Sequence, residues 1–260
     1  MNILENTQHL FTNYIKNYDL NQVKIKLKAV HTYHVMDIAE RIAISLGLSP
    51  DDIELAQVIG LLHDIGRFEQ VRLFNSFDDR NFSHAKYSIK ILFEDNLIDN
   101  ITKDETKKNI IYNAIKYHSD FILDATGVDE RTLLHERLIR DADKLDIFRV
   151  ILNEDLITIT NLDRNEISHM SISEDVLKSL FSYESINRNH RRNKLDVILT
   201  FLGFIFDVNF KESFKIILEQ KYIEQITEKI LELNPALKET VEQIRSTTIL
   251  YCQEKILPTK

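Results

Sequence analysis

With one cysteine, Cys252, among 260 residues, the chain can form no internal disulfide, and this fits a reducing compartment. Turn-formers are nearly as scarce. Five glycines and three prolines leave little of the chemistry that β-hairpins need, whereas Leu, Ile, Lys and Glu recur at helical spacing. The chain therefore reads as all-α. Basic charge is in deficit, with 33 Lys and Arg against 41 Asp and Glu for a formal net charge of -8. No nucleic-acid polymer is expected as a partner, because gripping a phosphate backbone calls for a basic face. No stretch of about 20 residues is free of charge, and residues 1–6 are neither a basic leader nor a long apolar run, so no membrane association is expected and the expected location is cytoplasmic. No repeat or low-complexity tract stands out, and a chain of this length can bury a sizeable core.

What is present is a succession of amphipathic segments. Residues 2–17 carry an interrupted apolar stripe of Ile3, Leu4, Leu10, Phe11, Tyr14 and Ile15, with His9 at its edge as an ordinary surface histidine. A long helix is expected over 23–46, where Val23, Leu27, Val30, His31, His34, Val35, Ile38, Ile42 and Leu46 fall three and four apart. Gly47 suits the left-handed position after it. Ser49-Pro50-Asp51-Asp52 then supplies an N-cap, a first-turn proline and two carboxylates that complement the next helix dipole. Beyond Arg67 the helix runs on or breaks into 68–82, of which Asn75–Asn81 is the most loop-like part and is placed to flank a site. Further helices are expected after Ser83, from about Asp104, and over 133–152. Asn161–Met170 reads as a connection in which His169 has no function. Residues 195–206 are apolar on nearly every side and must be buried, and amphipathic helices follow at 211–219, 221–233 and 237–254.

Chemistry concentrates at Leu61-Leu62-His63-Asp64-Ile65-Gly66-Arg67. Neighbouring side chains leave a helix about 100° apart, so His63 and Asp64 grip one cation only if it lies against the helix wall, and the carboxylate keeps an oxygen for a second. The preceding residues are too apolar to face water. A buried carboxylate is costly without a partner, and a metal is a common remedy. Other histidines lie on buried edges: His31 and His34 one turn apart, each either a ligand or a core histidine bonded to a carbonyl; His84 in a first turn; His118 at a helix end. Residues 138–148 hold Asp141, Asp143 and Asp146 among apolar neighbours, and at least one of the three must point inwards and need a cation.

Taken together, His31, His63-Asp64, His84, His118 and Asp143 resemble the HD superfamily of metal-dependent phosphohydrolases over about residues 25–150. His31-Thr32-Tyr33-His34-Val35 is similar to the family's first ligand motif, His63-Asp64-Ile65-Gly66-Arg67 to its central one and Ala142-Asp143-Lys144-Leu145-Asp146 to its last. The doubled histidine and Gly-Tyr-Pro of its cyclic-dinucleotide phosphodiesterases are absent, as is an alarmone synthetase domain. The resemblance implies an HD-type helical bundle over 1–153 and a carboxy-terminal helical extension over 154–260 packed on it. It makes Asp143 the aspartate ligand and leaves His34 facing substrate.

The resemblance further implies two divalent metal ions, one on His31, His63, Asp64 and Asp143, the other on Asp64, His84 and His118, with Asp64 bridging. Iron, manganese, nickel, cobalt and zinc all suit such nitrogen and oxygen donors. Two ions about 4 Å apart can share and acidify a bridging water and clamp a phosphoryl group for attack, which makes the expected reaction hydrolysis of a small, nucleotide-like phosphate ester. Arg67 and Lys144 either neutralise charge on phosphate oxygens or form salt bridges with Asp141, Asp146 or Glu69. The basic run Arg188–Lys194, with Arg191, either reaches over the metals to a phosphorylated substrate or is a solvated helix start. Two other functions stay open: a di-iron oxygenase, which a minority of the superfamily are, and a non-catalytic ligand-sensing module, against which the full ligand set argues. The last hundred residues are open as a lid or as the surface of a homodimer.

Overall fold

The computed structural model describes residues 2–79, 82–154 and 164–258. The fold is all-α, and no strand occurs among the described residues. No helix among them is long and apolar enough to cross a membrane. The chain divides into two compact units, Met1–Asp143 and Lys144–Lys260. The first contains α1 (Ile3–Ile15), α2 (Val23–Ser45), α3 (Pro50–Leu62), α4 (Ile65–Phe74), α5 (His84–Ile89, extended by a π-helical turn Lys90–Glu94), α6 (Glu105–Tyr117) and the start of α7 (Glu130–Asn153). The division falls inside α7, ten residues before the boundary at 153 that the resemblance implies.

Local chemistry sets these ends. Ser49 Oγ accepts from Asp52 N at 3.2 Å with Pro50 in the first turn of α3, Asp104 Oδ1 accepts from Thr106 N and Lys107 N at the start of α6, and Gly47 takes φ +67° after α2. Two expectations need correcting. In α2 the apolar stripe is displaced: Val23, Val30 and Leu46 are exposed, and the buried face runs through Ile25, Leu27, His31, Thr32, Val35, Met36, Ala39, Ile42 and Ala43. Thr32, Met36, Ala39 and Ala43 belong to that face because packing against α3 takes small side chains as readily as large ones. The helix carrying His63 does not continue past it. Asp64, at φ -107° and ψ 16°, separates α3 from α4, so the His-Asp pair sits at a junction rather than on one helix wall.

The core beside this junction is aromatic. Phe68 is fully buried, with its ring 5.8 Å from that of Phe11 and 5.6 Å from that of Tyr18, and Ile15, Ile25, Met36, Leu61 and Val71 complete the cluster. The opposite end of α3 is held by charge. Asp52 Oδ1 accepts from Arg131 Nε at 2.7 Å and lies 3.1 Å from His135 Nε2, both on α7, while Asp51 meets Arg131 and Lys107 of α6. The helices that end near His63 and His118, and the one that bears Asp143, are thus pinned together a helix length away from those residues.

In the second unit, helices Glu174–Phe181, Lys194–Gly203, Lys211–Glu219, Tyr222–Leu233 and Lys238–Ile256 enclose Val176, Leu195, Leu199, Leu202, Phe214, Ile217, Ile226 and Ile244. Asn193 and Asp196 form a capping box at the start of the apolar helix. Leu195, Ile198, Leu199, Leu202 and Ile205 of the expected apolar segment are buried. Of the expected connection Asn161–Met170, residues 161–163 lie outside the described residues, Arg164–Ile167 is a single helical turn and His169 is exposed.

Two stability outcomes follow. Phe68→Ala should cost about 3–5 kcal/mol, as for other buried aromatics, measured by denaturant unfolding. Burial works against the charge on Asp52, but hydrogen bonds from Arg131, His135 and Ser49 hold its pKa at about 2, below the usual 3.8. Its contribution is therefore complete above roughly pH 4 and is lost as pH falls through about 2. Asp52→Asn should lower Tm at pH 7 and flatten the acid decline between those limits, read from melts across pH.

Candidate metal centre

Six side chains of the first unit converge. His31 comes from the middle of α2, His63 from the residue that closes α3, Asp64 from the junction, His84 from the first turn of α5, His118 from the residue that closes α6, and Asp143 from α7. Ligand atoms of His31, His63 and Asp64, of His63, His118 and Asp143, and of Asp64, His84 and His118 each lie within 4.8 Å of one another. All but Asp143 are buried, and Asp143 is 17 % exposed.

Asp64 is the hub. Its Oδ2 lies 3.6 Å from both His31 Nε2 and His63 Nε2, and its Oδ1 lies 3.4 Å from His84 Nε2 and 3.8 Å from His118 Nε2. Asp143 Oδ1 adds to the first pair, 3.1 Å from His31 Nε2 and 3.6 Å from His63 Nε2. Burial opposes ionisation of Asp64, yet the Lys28 ammonium at 2.6 Å and the surrounding imidazoles hold its carboxyl well below the ordinary range. Partial burial also works against ionisation of Asp143, and the imidazoles of His31 and His63 beside it hold its carboxyl well below the ordinary range.

Hydrogen-bond chemistry fixes which ring nitrogen faces inwards. His63 Nδ1 lies 2.7 Å from Gly60 O and His118 Nδ1 lies 2.6 Å from Ile115 O. A carbonyl only accepts, so Nδ1 carries the proton and Nε2 presents a lone pair. His84 Nδ1 meets the Asp79 carboxylate at 2.9 Å, with the same result. Burial, and then the charge of Arg67, push the His84 pKa down to about 4, so its ring is neutral at pH 7. His84 Nε2 and His118 Nε2 are nevertheless 3.0 Å apart. Two lone pairs at that distance repel unless something positive lies against both. His63 Nε2 and Asp64 Oδ1 are buried and make no hydrogen bond. Four imidazoles and two carboxylates with inward lone pairs fit divalent cations well.

Close packing sets the spacing. A Cβ on Gly66 would stand 2.5 Å from His84 O and 2.7 Å from Ser88 N, so only glycine lets α4 approach α5 this closely. Gly66 N donates to Ser88 Oγ at 2.9 Å, and Ser88 Oγ donates to His63 O at 3.1 Å. Those bonds tie the backbone of the His-Asp junction to the helix of His84. Buried Arg140 donates from Nη1 to Tyr117 O, His118 O and Asp120 O at 3.2, 3.2 and 2.6 Å, satisfying carbonyls that the end of α6 leaves open.

The remaining expected residues are placed differently. Arg67 borders the cluster, with Nε 3.6 Å from Asp64 Oδ1, but its fork is bound by Asp79 at 2.8 and 3.0 Å rather than by Asp141, Asp146 or Glu69. Asp146 pairs with Arg149 at 2.5 Å. His34 is half-buried on α2 and is outside the converging sets. Lys144 and Arg191 belong to the second unit, where Lys144 Nζ lies 2.8 Å from Asp207 Oδ2 and Arg191 Nε reaches Arg188 O at 3.4 Å. In the same basic run Lys194 pairs with Glu166. Asp79 lies in the expected site-flanking loop, while Arg80 and Asn81 lie outside the described residues.

Sequence reasoning missed Lys28 and the part played by Asp79. Lys28 is one turn before His31, and that spacing is its only sequence signal. Its Nζ also sits 5.4 Å from the centre of the Phe77 ring.

Residues 29–147 match the family model described as HD domain. No curated protein and no solved structure matches the chain.

Gly66→Ala should push α5 away and separate His84 from Asp64. Cation uptake should fall while the helical signal is kept, measured by elemental analysis and circular dichroism together.

Proposed function

We propose that the chain, whose residues 29–147 match the HD-domain family model, is a metal-dependent phosphohydrolase acting on a small phosphate ester of nucleotide-like character. The observation that carries this reading is the two-sided use of Asp64, with one carboxylate oxygen turned to His31 and His63 and the other to His84 and His118. A first divalent cation is assigned to His31, His63, Asp64 and Asp143, and a second to Asp64, His84 and His118. Bound there, the cations supply the acidity and positive charge that phosphate-ester hydrolysis needs near neutral pH.

The chain's own residues contribute orientation and charge. Lys28 lies against Asp64 Oδ2 and Arg67 lies nearest Oδ1, so two fixed cations flank the place where phosphate oxygens gather charge. The Arg67 fork is occupied by Asp79, which fixes its positive charge beside Asp64 with Nε turned to Oδ1. Burial of the four imidazoles keeps bulk water from competing for their lone pairs.

The same donors suit iron, and this keeps an oxygenase as the second reading. Anaerobic iron loading followed by oxygen, with electron paramagnetic resonance, separates the two, since hydrolysis involves no redox change.

Protein reloaded with manganese should release inorganic phosphate from a panel of nucleotides and sugar phosphates, and Asp64→Ala should abolish both metal retention and release. Loaded protein that leaves the whole panel intact would sink the hydrolase reading.

A further inference from the structure

His63 and His118 orient themselves. Each closes its helix and reaches back three residues to a carbonyl of the same helix, Gly60 O or Ile115 O. His84 has no preceding turn of its own helix to reach back to, because it is the first residue of α5. Its Nδ1 must find an acceptor elsewhere, and the one it meets is Asp79 Oδ1.

From this asymmetry we infer that Asp79 is the positioning residue of the second cation site, holding His84 with Nε2 turned towards Asp64 and His118. The inference rests on the two-cation reading above and names the residue on which the second half of the site depends. Asp79 is itself fixed. Its Oδ1 accepts from Arg67 Nη1 at 2.8 Å and Gln70 Nε2 at 3.2 Å, and its Oδ2 accepts from Arg67 Nη2 at 3.0 Å. Its loop is tied to α4 twice more, Arg67 Nη1 donating to Phe77 O and Gln70 Nε2 to Asp78 O, both at 2.9 Å. One carboxylate thus receives four hydrogen bonds, three anchoring it to α4 and one setting the tautomer of His84. The geometry is that of a carboxylate–histidine–metal relay, in which loss of the outer carboxylate typically weakens metal binding about 10–100-fold.

The test uses the full chain, freed of metal and titrated with Mn2+. Wild type should take up two equivalents and show the spin-coupled signal of neighbouring ions. Asp79→Ala should keep the first equivalent and bind the second about 10–100-fold more weakly, leaving a mononuclear signal. In metal-free protein, imidazole 15N shifts should show His84 protonated on Nδ1 in wild type and largely on Nε2 in Asp79→Ala, a change that simple loss of packing would not produce. Retention of the first equivalent shows that the variant is folded. Should it not fold, Asp79→Asn, which keeps the shape and one acceptor oxygen, is expected to weaken the second ion in the same direction by less. If the variants bind both ions as wild type does, or His84 keeps its tautomer, Asp79 has no positioning role and the two-cation reading survives. If wild type itself takes up no second ion, that reading fails and the inference falls with it.

Discussion

A single buried carboxylate shared between two pairs of imidazoles is the constraint around which the first unit is built. Asp64 makes sense only with positive charge nearby, and every helix from α2 to α7 sends something to it or to its neighbours: Lys28 and His31, His63, Arg67, His84, His118 and Asp143. A buried ionised group without compensation costs several kcal/mol, so the fold tolerates Asp64 only because these elements meet where they do. Precision comes from unremarkable chemistry: helix ends that supply carbonyls to histidines, a glycine that lets two helices touch, and a serine that links them.

The position of the pair at a junction matters for the same reason. Had α3 continued through Asp64, its two oxygens would share one helix face with its own neighbours, and reaching imidazoles on both sides would be harder. The break at Asp64 turns the carboxylate out of the helix, so that α2 and α3 approach one oxygen and α5 and α6 the other.

Much of this was legible in the chain. Helical spacing located the elements, Ser49-Pro50 and Gly47 marked their ends, and the order of histidines and aspartates marked the residues that converge. What was not legible has a common cause. The stripe of α2 departs from its spacing because periodicity counts large apolar residues, whereas the buried face includes Thr32, Ala39 and Ala43. Lys28 and Asp79 act through distance, and a lone lysine or a loop aspartate has no pattern of its own. Arg67 was recognised, but its partner lies 12 residues on, beyond the reach of local pairing rules. Lys144 directly follows Asp143, yet its ammonium is bound to Asp207, a separation of 63 positions that no spacing argument covers.

Arg140 carries one more consequence, in the language of fields. The carboxyl ends of helices bear partial negative charge worth about half an electron, and both α3 and α6 terminate at residues of the cluster. Each helix gives one carbonyl to its own closing histidine, but at α6 a guanidinium also covers the terminal carbonyls, whereas at α3 the His63 carbonyl accepts from the neutral Ser88 hydroxyl. The two helix ends that meet at the cluster are therefore compensated unequally, by a full positive charge at α6 and by a neutral donor at α3.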